Sequence, residues 1–458
     1  MEASGVFDVI SKKFKPYARF TAHTKLPKKG LGTRALKTLR ELQRKEEGSW
    51  RRGYVSGAVY HGGKKHIAFV NRAYAIGSQS NPLHPDIWPS LPKFEGEIVS
   101  MTSKMLHGGE AVRGAVTSGG TESILLAMKT YRDWVRAKKG ITEPEVVLPV
   151  SAHAAFDKAC HYFGLRAKFV PLREDFTADL EGVKSAIGPN TAVVVGSAPC
   201  FPYGTVDDIR GMAEVAADAG VGFHTDACLG GFILPWARRL GYRVPEFDFE
   251  LPGVTSMSVD THKYGYAPKG TSVVLYSDQE LLHHQYYIAN RWPGGIYFSN
   301  TMSGSRPGGL IAAAWATMLS VGEDGYLALS RKVLKAAEQI RSGVRTVGGA
   351  RLLGESLIVA AFETEGRNVY QVMENMSVRG WYLNGLQNPP GAHIAVTLRH
   401  TLPGVARRFA SDLRKSMGGA KGGQETGMAP IYGMAGTMPE ESVSAFLESV
   451  IDWIYAPA

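Results

Sequence analysis

Three stretches of this 458-residue chain set reactive side chains just after apolar runs. The first is Ser258-Val259-Asp260-Thr261-His262-Lys263-Tyr264-Gly265. A lysine in a crowded cationic site can have its pKa lowered and attack a carbonyl as a neutral amine. Lone lysines are usually solvated, so Lys263 takes its meaning from its companions. The second stretch is His224-Thr225-Asp226-Ala227. The C-terminal end of a buried strand is where open α/β sheets bind ligands. A carboxylate buried there needs a partner. A pyridinium nitrogen is one; an Asp226 that caps the next helix is the plainer alternative.

The third is Thr117-Ser118-Gly119-Gly120-Thr121-Glu122-Ser123, where a strand should hand over to a helix. Free N–H groups at a helix N-terminus attract an anion, and the glycines let its oxygens approach the backbone. No GK[ST] follows, so this is not a nucleotide-binding P-loop. A helix cap at a tight turn is the alternative. Acid, lysine and phosphate cradle together describe a site for pyridoxal 5′-phosphate (PLP), with Lys263 as its Schiff-base lysine and the acid keeping the ring protonated as an electron sink. His153, after the run EVVLPV, could stack on the ring; otherwise it is a core or cap histidine. The remaining histidines show no HExxH or other metal spacing, and there is no GxSxG elbow. No metal is expected.

Positioning these groups requires a layered α/β domain. EVVLPV, RAKFVPL, TAVVVGSAP, VGFHTDA and TSMSVD read as short buried strands, with VDDIRGMAEVAADAG as a helix between two of them. That alternation predicts a mostly parallel sheet covered on both faces. TSVVLYS follows TSMSVD after a short loop and should run antiparallel to it. Leu31, Ala35, Leu39 and Leu42 recur at helical spacing in an amphipathic segment. A helix is expected from Phe94 to His107 and another around 321–335; GARLLG, SLIVAAFET and AHIAVTL read as strands, and the chain closes on an amphipathic helix. The expected organisation is a basic helical segment over 1–60, a large cofactor-binding domain over 61–325 and a small α+β domain over 326–458.

Hydrophobic residues make up 44% of the chain and charged residues 21%, an ordinary globular balance. The net charge is +10, and residues 1–50 hold most of it, with eight lysines and four arginines against five acids. Such an arm can meet an anionic surface, or be a solvated or dimer-wrapping segment. Aromatic residues are not interleaved with the basic ones, which argues against nucleic acid. Cys160, Cys200 and Cys228 form no CxxC, which fits a reducing, cytoplasmic setting rather than a disulfide framework. No secretory signal pattern opens the chain, and no apolar run is long enough to span a bilayer.

From about residue 30 onward the sequence resembles the group II PLP-dependent decarboxylase family of fold type I. The Gly-Gly turn, HTDA and THK belong to that family at large. NPLHPD and YGYAPKG, with GAVYHGG, TMSGSRPGG and IYGMAG, resemble its sphingosine-1-phosphate lyase branch. The resemblance implies a seven-stranded large domain with a small C-terminal domain. It implies that Lys263 carries the PLP, Asp226 pairs with the pyridine nitrogen and His153 stacks on the ring. Gly119, Gly120, Thr121 and His262 would hold the cofactor phosphate, joined by Ser303 and Gly304 from the neighbouring subunit of a homodimer. Tyr60, His84, Lys269 and Tyr297 match positions that bind the phosphate of the substrate, and Met434 and Gly436 lie in a further loop beside it. Eukaryotic members carry a membrane-spanning N-terminal segment that this chain lacks, so a soluble bacterial form with at most peripheral membrane contact is expected.

The implied reaction is retro-aldol cleavage of a phosphorylated sphingoid base, such as sphingosine 1-phosphate, to a long-chain aldehyde and phosphoethanolamine. Two other readings remain open on the residues: a PLP-dependent amino-acid decarboxylase, and an anionic-lipid or nucleic-acid binding protein that uses its basic N-terminal arm. Lys269 argues against the decarboxylase, which has no second phosphate to hold.

Overall fold

A computed structural model describes residues 17, 22–418 and 439–456; IYGMAG, with Met434 and Gly436, lies outside the described residues. The chain forms two compact units. One comprises residues 59–335 and 353–359, and the other the described parts of 1–58, 336–352 and 360–458.

The first unit is built on a seven-stranded sheet: β1 (Arg113–Thr117), β2 (Glu145–Pro149), β3 (Arg166–Val170), β4 (Thr191–Ser197), β5 (Gly222–Asp226), β6 (Ser256–Val259) and β7 (Ser272–Tyr276). Their spatial order is β1-β7-β6-β5-β4-β2-β3. β7 runs antiparallel to both neighbours, as the short loop before it predicts, and the other pairings are parallel. β2, β4, β5 and β6 are buried along their whole lengths; β2 and β4 read as mostly apolar runs rather than alternating ones, while β5 and β6 also bury His224, Thr225, Ser256 and Ser258. β1, β2, β5 and β6 therefore all point their C-terminal ends to one edge of the sheet. The Gly-Gly turn, His153, Asp226 and Lys263 each follow one of these ends.

The 20-residue helix Gly120–Lys139 ties that edge to the core. Ile124, Leu125, Met128, Tyr131 and Val135 recur at helical spacing and pack on Val146, Leu148, Val193, Val195 and Val274. Each such burial contributes roughly 1.5–3 kcal/mol. The Tyr131 hydroxyl reaches Ser256 Oγ at 2.6 Å and Thr255 Oγ1 at 2.7 Å, so the buried ring leaves no orphan polar atom. Gly222 makes room for it, because a Cβ there would sit 2.2 Å from the Tyr131 ring.

The helix expected around 321–335 is part of a longer one, Gly308–Arg345, broken by non-helical geometry at Gly322. Between β7 and that helix lies a hairpin of β8 (Tyr287–Ala289) and β9 (Tyr297–Ser299), which the sequence pattern did not signal. Its large side chains face solvent rather than core: Ile288 is 65% exposed and Phe298 62%.

In the second unit, β10 (Ala350–Leu352), β11 (Val359–Thr364), β12 (Asn384–Leu386) and β13 (Gly391–Ala395) form a sheet ordered β10-β11-β13-β12. Trp381 is fully buried, stacks on Tyr54 at 4.5 Å and donates its indole N–H to Asp412 Oδ2 at 3.0 Å. The basic segment forms the helix Thr33–Arg52. Two of its leucines are exposed, Leu36 at 54% and Leu39 at 50%, while Leu42 is half-buried.

Candidate active site

Lys263 sits in a tight turn just past β6. Its Nζ lies 3.0 Å from Asp260 Oδ2, and Asp260 is itself 2% exposed. The sequence reading expects a lysine with its pKa lowered; the structure reverses that. Burial does disfavour the ammonium, but the Asp260 carboxylate, helped by Tyr60, Cys228 and Asp226, lifts the pKa above the ordinary lysine value. Asp260 stands inside the motif, but its spacing from the lysine is ordinary in sequence. Burial raises the Asp260 carboxyl, while Lys263 and His262 outweigh it and hold its pKa below the ordinary value. His262 Nε2 stands 3.5 Å from Asp260, and its Nδ1 pairs with the carbonyl of Thr271 at 2.6 Å. Burial lowers the His262 pKa.

Asp226 ends β5. It is buried, and its Oδ1 accepts hydrogen bonds from the Cys228 N–H at 3.0 Å and the Ser258 hydroxyl at 3.1 Å. These two contacts fix the carboxylate's direction, so Asp226 orients the turn after β5 and caps no helix by itself. His153 is exposed, and its Nδ1 accepts the Ala155 N–H at 3.1 Å, which places the ring proton on Nε2.

Gly119 is the N-cap of the helix Gly120–Lys139, which has no side-chain cap. At Gly119, φ +155°, a Cβ would meet His262 Cε1 at 3.7 Å, an ordinary contact; at Gly120 a Cβ would meet Cys228 Sγ at 2.7 Å and Asp260 Oδ1 at 2.9 Å. Glu122 braces the turn by accepting the Ser118 N–H at 2.6 Å and the Met302 N–H at 2.9 Å. Nothing in the sequence separated Glu122 from an ordinary first-turn acid.

One cavity of about 360 Å³ is lined by Gly119, Gly120, Thr121, His153, Asp226, His262 and Lys263, together with Asp260 and Cys228. The residues proposed for one cofactor thus converge from four strand ends. Two substrate-side candidates stand next to Lys263. The Lys269 Nζ lies 4.8 Å from the centre of the Tyr60 ring, a cation–π contact. Burial raises the Tyr60 pKa to about 12. Burial of the Lys269 ammonium, with the charge of Lys263, lowers its pKa to about 8, although the residue as a whole remains exposed.

Neither these two nor the other four candidates line that cavity. His84 packs edge-on to Trp88 at 6.3 Å in the loop held by Asn81, whose side chain donates to Ser305 Oγ at 3.0 Å and accepts from the Arg306 N–H at 3.2 Å. Gly304 lies in the loop of Ser305 and Arg306 that Asn81 bonds to, where a Cβ would come within 3.0 Å of the Tyr297 hydroxyl. Ser303 precedes it, its carbonyl accepting from the Thr301 hydroxyl at 3.0 Å. Within one chain, His84, Tyr297, Ser303 and Gly304 thus form a group of their own.

Residues 64–360 match the family described as the pyridoxal-dependent decarboxylase conserved domain. A sphingosine-1-phosphate lyase of Oryza sativa subsp. japonica is 44% identical over 435 residues, 92% of this chain and 80% of that protein. The chain belongs to the pyridoxal-dependent decarboxylase family, among the sphingosine-1-phosphate lyases. The solved structure of the Burkholderia pseudomallei sphingosine-1-phosphate lyase superposes with a TM-score of 0.90 at 40% identity, covering 96% of this chain and 99% of that one. A Lactobacillus brevis glutamate decarboxylase superposes at 0.74 with 21% identity, covering 86% and 94%, and shares the fold.

PLP is the cofactor of this family, and the cavity of this decarboxylase-family chain suits it on three counts. An amine and a buried carboxylate line one enclosure. The uncapped helix N-terminus behind Gly119 and Gly120 offers N–H groups to a phosphate. The glycine at 120 keeps that approach open, since a Cβ there would already press on Cys228 Sγ at 2.7 Å.

Proposed function

We propose that this protein is a PLP-dependent carbon–carbon lyase that cleaves phosphorylated sphingoid bases, such as sphingosine 1-phosphate, to a long-chain aldehyde and phosphoethanolamine. The relatives named for that activity support the reading. So does one observation of this chain: a second cation, Lys269, stacks over Tyr60 at 4.8 Å, near enough to Lys263 for the two charges to oppose each other. A substrate that brings its own phosphate needs such a group; one that only loses carbon dioxide does not.

Lys263 would hold PLP through its amine, Asp226 through the ring nitrogen, His153 against the ring face, and Gly119, Gly120, Thr121 and His262 at the phosphate. When bound, PLP supplies the electron sink that carbon–carbon cleavage requires. The protein's part is to orient and to manage protons. Tyr60, its pKa raised to about 12, keeps its proton at neutral pH and serves as a hydrogen-bond donor. Lys269, at about 8, is mostly an ammonium at neutral pH, and an arriving phosphate stabilises that charge further.

The active unit in this reading is a homodimer, in which His84, Tyr297, Ser303 and Gly304 complete the partner's cavity. None of the four lines the Lys263 cavity within one chain, which supports that arrangement, as does the exposed apolar surface of the β8–β9 hairpin. The organisation we favour keeps 61–325 as the cofactor-binding domain, with a basic segment over 1–60 and a small domain over 326–458. Three free, buried cysteines accord with a reducing cytoplasm. No helix among the described residues is long and apolar enough to cross a membrane.

Incubation with a phosphorylated sphingoid base should release long-chain aldehyde and phosphoethanolamine. Lys269→Ala should lower kcat/KM by about 10- to 100-fold, the worth of one charge-assisted contact. Carbon dioxide released from an amino acid, with no aldehyde, would replace this reading by that of a decarboxylase.

A further inference from the structure

A second cavity, of about 590 Å³, lies among the helices Ser90–Met105, Leu234–Arg239 and Gly308–Arg345, and shares no lining residue with the Lys263 cavity. Its volume is that of a small-molecule site. Phe232, Trp236, Met318 and Tyr326 wall it, with Trp236 and Tyr326 stacked at 5.5 Å and 3°. The long helix breaks at Gly322, on the cavity wall, at φ 59° and ψ 175°.

Two features set the chemistry of an occupant. Trp236 Nε1 is buried with no hydrogen-bond partner among the described residues, an orphan donor that costs stability unless something accepts from it. Three cations also line the cavity. Arg238 is paired with Glu250 at 2.5 Å and Arg239 with Glu323 at 2.7 Å, whereas Lys104 has no carboxylate partner among the described residues. Apolar walls, one unmet donor and one uncompensated cation fit a molecule with an apolar tail and an anionic head.

The cavity also touches the catalytic turn. The Tyr326 hydroxyl donates to the carbonyl of Gly265 at 2.9 Å, two residues beyond Lys263. The Tyr326 ring stacks at 6.1 Å and 11° on Tyr266, whose φ of 60° is a left-handed conformation that a tyrosine rarely holds. One side chain thus forms a wall of the second cavity and clamps a strained backbone next to the active lysine.

We propose that this cavity is an effector site for a single-tailed anionic amphiphile, and that its occupancy alters the Lys263 turn through Tyr326. The coupling needs no long path, because Tyr326 belongs to both surroundings; a ligand packed on it changes the support of Gly265 and Tyr266.

The test uses the PLP-loaded protein with dodecanoate below its micelle concentration, and dodecyltrimethylammonium as the charge-reversed control. Calorimetry should show one saturable dodecanoate site per chain. Leu319→Trp, at a half-exposed position on the cavity lining, should abolish binding without unfolding the protein. Lys104→Met should weaken it about two- to fivefold, the worth of an exposed ion pair. In the unsubstituted protein, dodecanoate should shift the absorbance band of the Lys263-bound cofactor. Tyr326→Phe should bind dodecanoate and lose the shift. Equal binding of the cationic amphiphile, or binding untouched by Leu319→Trp, would overturn the site. Loss of binding in Lys269→Ala would place dodecanoate in the active site instead. A bound amphiphile that splits the dimer would make the cavity an interface between copies. Binding with no change in the band would overturn the coupling.

Discussion

Replacing Asp260 with asparagine isolates the charge that keeps Lys263 protonated. The carboxylate lies 3.0 Å from Nζ and is almost wholly buried. At that distance and an effective dielectric of ~20, the gross attraction is about 5–6 kcal/mol. Desolvation of both charges opposes it, so a net of roughly 3 kcal/mol is a fair working value. That equals a hold on the lysine proton about a hundredfold tighter than without the acid. Tyr60, Cys228 and Asp226 remain in D260N and preserve the smaller part of the effect.

Attachment of PLP requires the neutral amine. Below the lysine pKa, the neutral fraction rises tenfold for each unit of pH. Stopped-flow absorbance, on mixing PLP with cofactor-free protein, should therefore show a rate that climbs with pH across the neutral range. D260N should attach PLP about a hundredfold faster at pH 7, and its rate should level off at a lower pH. His262 also loses its neighbour in this variant, so H262Q serves as the control and should leave the pH profile in place. Superposed profiles for D260N and the unsubstituted protein, or slower attachment in the variant, would refute the argument that Asp260 governs the proton on Lys263.

Two further outcomes follow from buried groups. Gly120→Ala drives a methyl group toward Cys228 and Asp260, at 2.7 and 2.9 Å, so it should weaken PLP binding at least tenfold and cost about 1–3 kcal/mol, read by cofactor titration and urea unfolding. Acid should weaken the fold through His224 and His400, whose pKa values burial lowers to about 4. The unfolded chain binds those protons near pH 6.5, so stability is lost as pH falls from about 6.5 to 4, on the order of 3 kcal/mol for each histidine. Asp207 acts in the opposite sense, because burial raises its pKa to about 6 and the folded state takes up its proton first. Urea midpoints across that range should fall, and fall further in Asp207→Asn; a flat profile would show that these histidines are not buried neutral.

What the sequence made legible was whatever the chain spells locally. The strands leading into the site are mostly buried, β2, β5 and β6 along their whole lengths and β1 over its last three residues, and the reactive residue ends the strand or follows it within a few positions. Asp226, His153, Lys263 and the Gly-Gly turn were found that way. Asp260 and Glu122 were not, although both lie inside the motifs. An acid three residues before a lysine is ordinary in sequence; only the turn after β6 brings its oxygen to 3.0 Å from Nζ. Glu122 becomes a brace only because the 302 loop returns to it from 180 residues away. The β8–β9 hairpin escaped for a different reason: apolar residues that face solvent carry neither the alternation of a half-buried strand nor the unbroken run of a fully buried one.

That hairpin bears on how the site is built. A single chain rarely leaves Tyr287, Ile288, Trp292, Ile296 and Phe298 more than half exposed over so short a stretch. The segment leads directly into the loop that carries Ser303 and Gly304, and Tyr297 is its own β9 residue. The groups that the Lys263 cavity lacks are therefore mounted on the surface that most needs covering. A second copy of the chain would meet both needs with one contact, burying the apolar surface and delivering polar groups to the neighbouring cavity. If so, cofactor affinity should depend on protein concentration, since dilution below the dimer dissociation constant separates Ser303 and Gly304 from the phosphate they serve. Titration of PLP at a series of protein concentrations, followed alongside sedimentation, measures this directly. An affinity that stays constant while the dimer falls apart would place every cofactor contact within one chain.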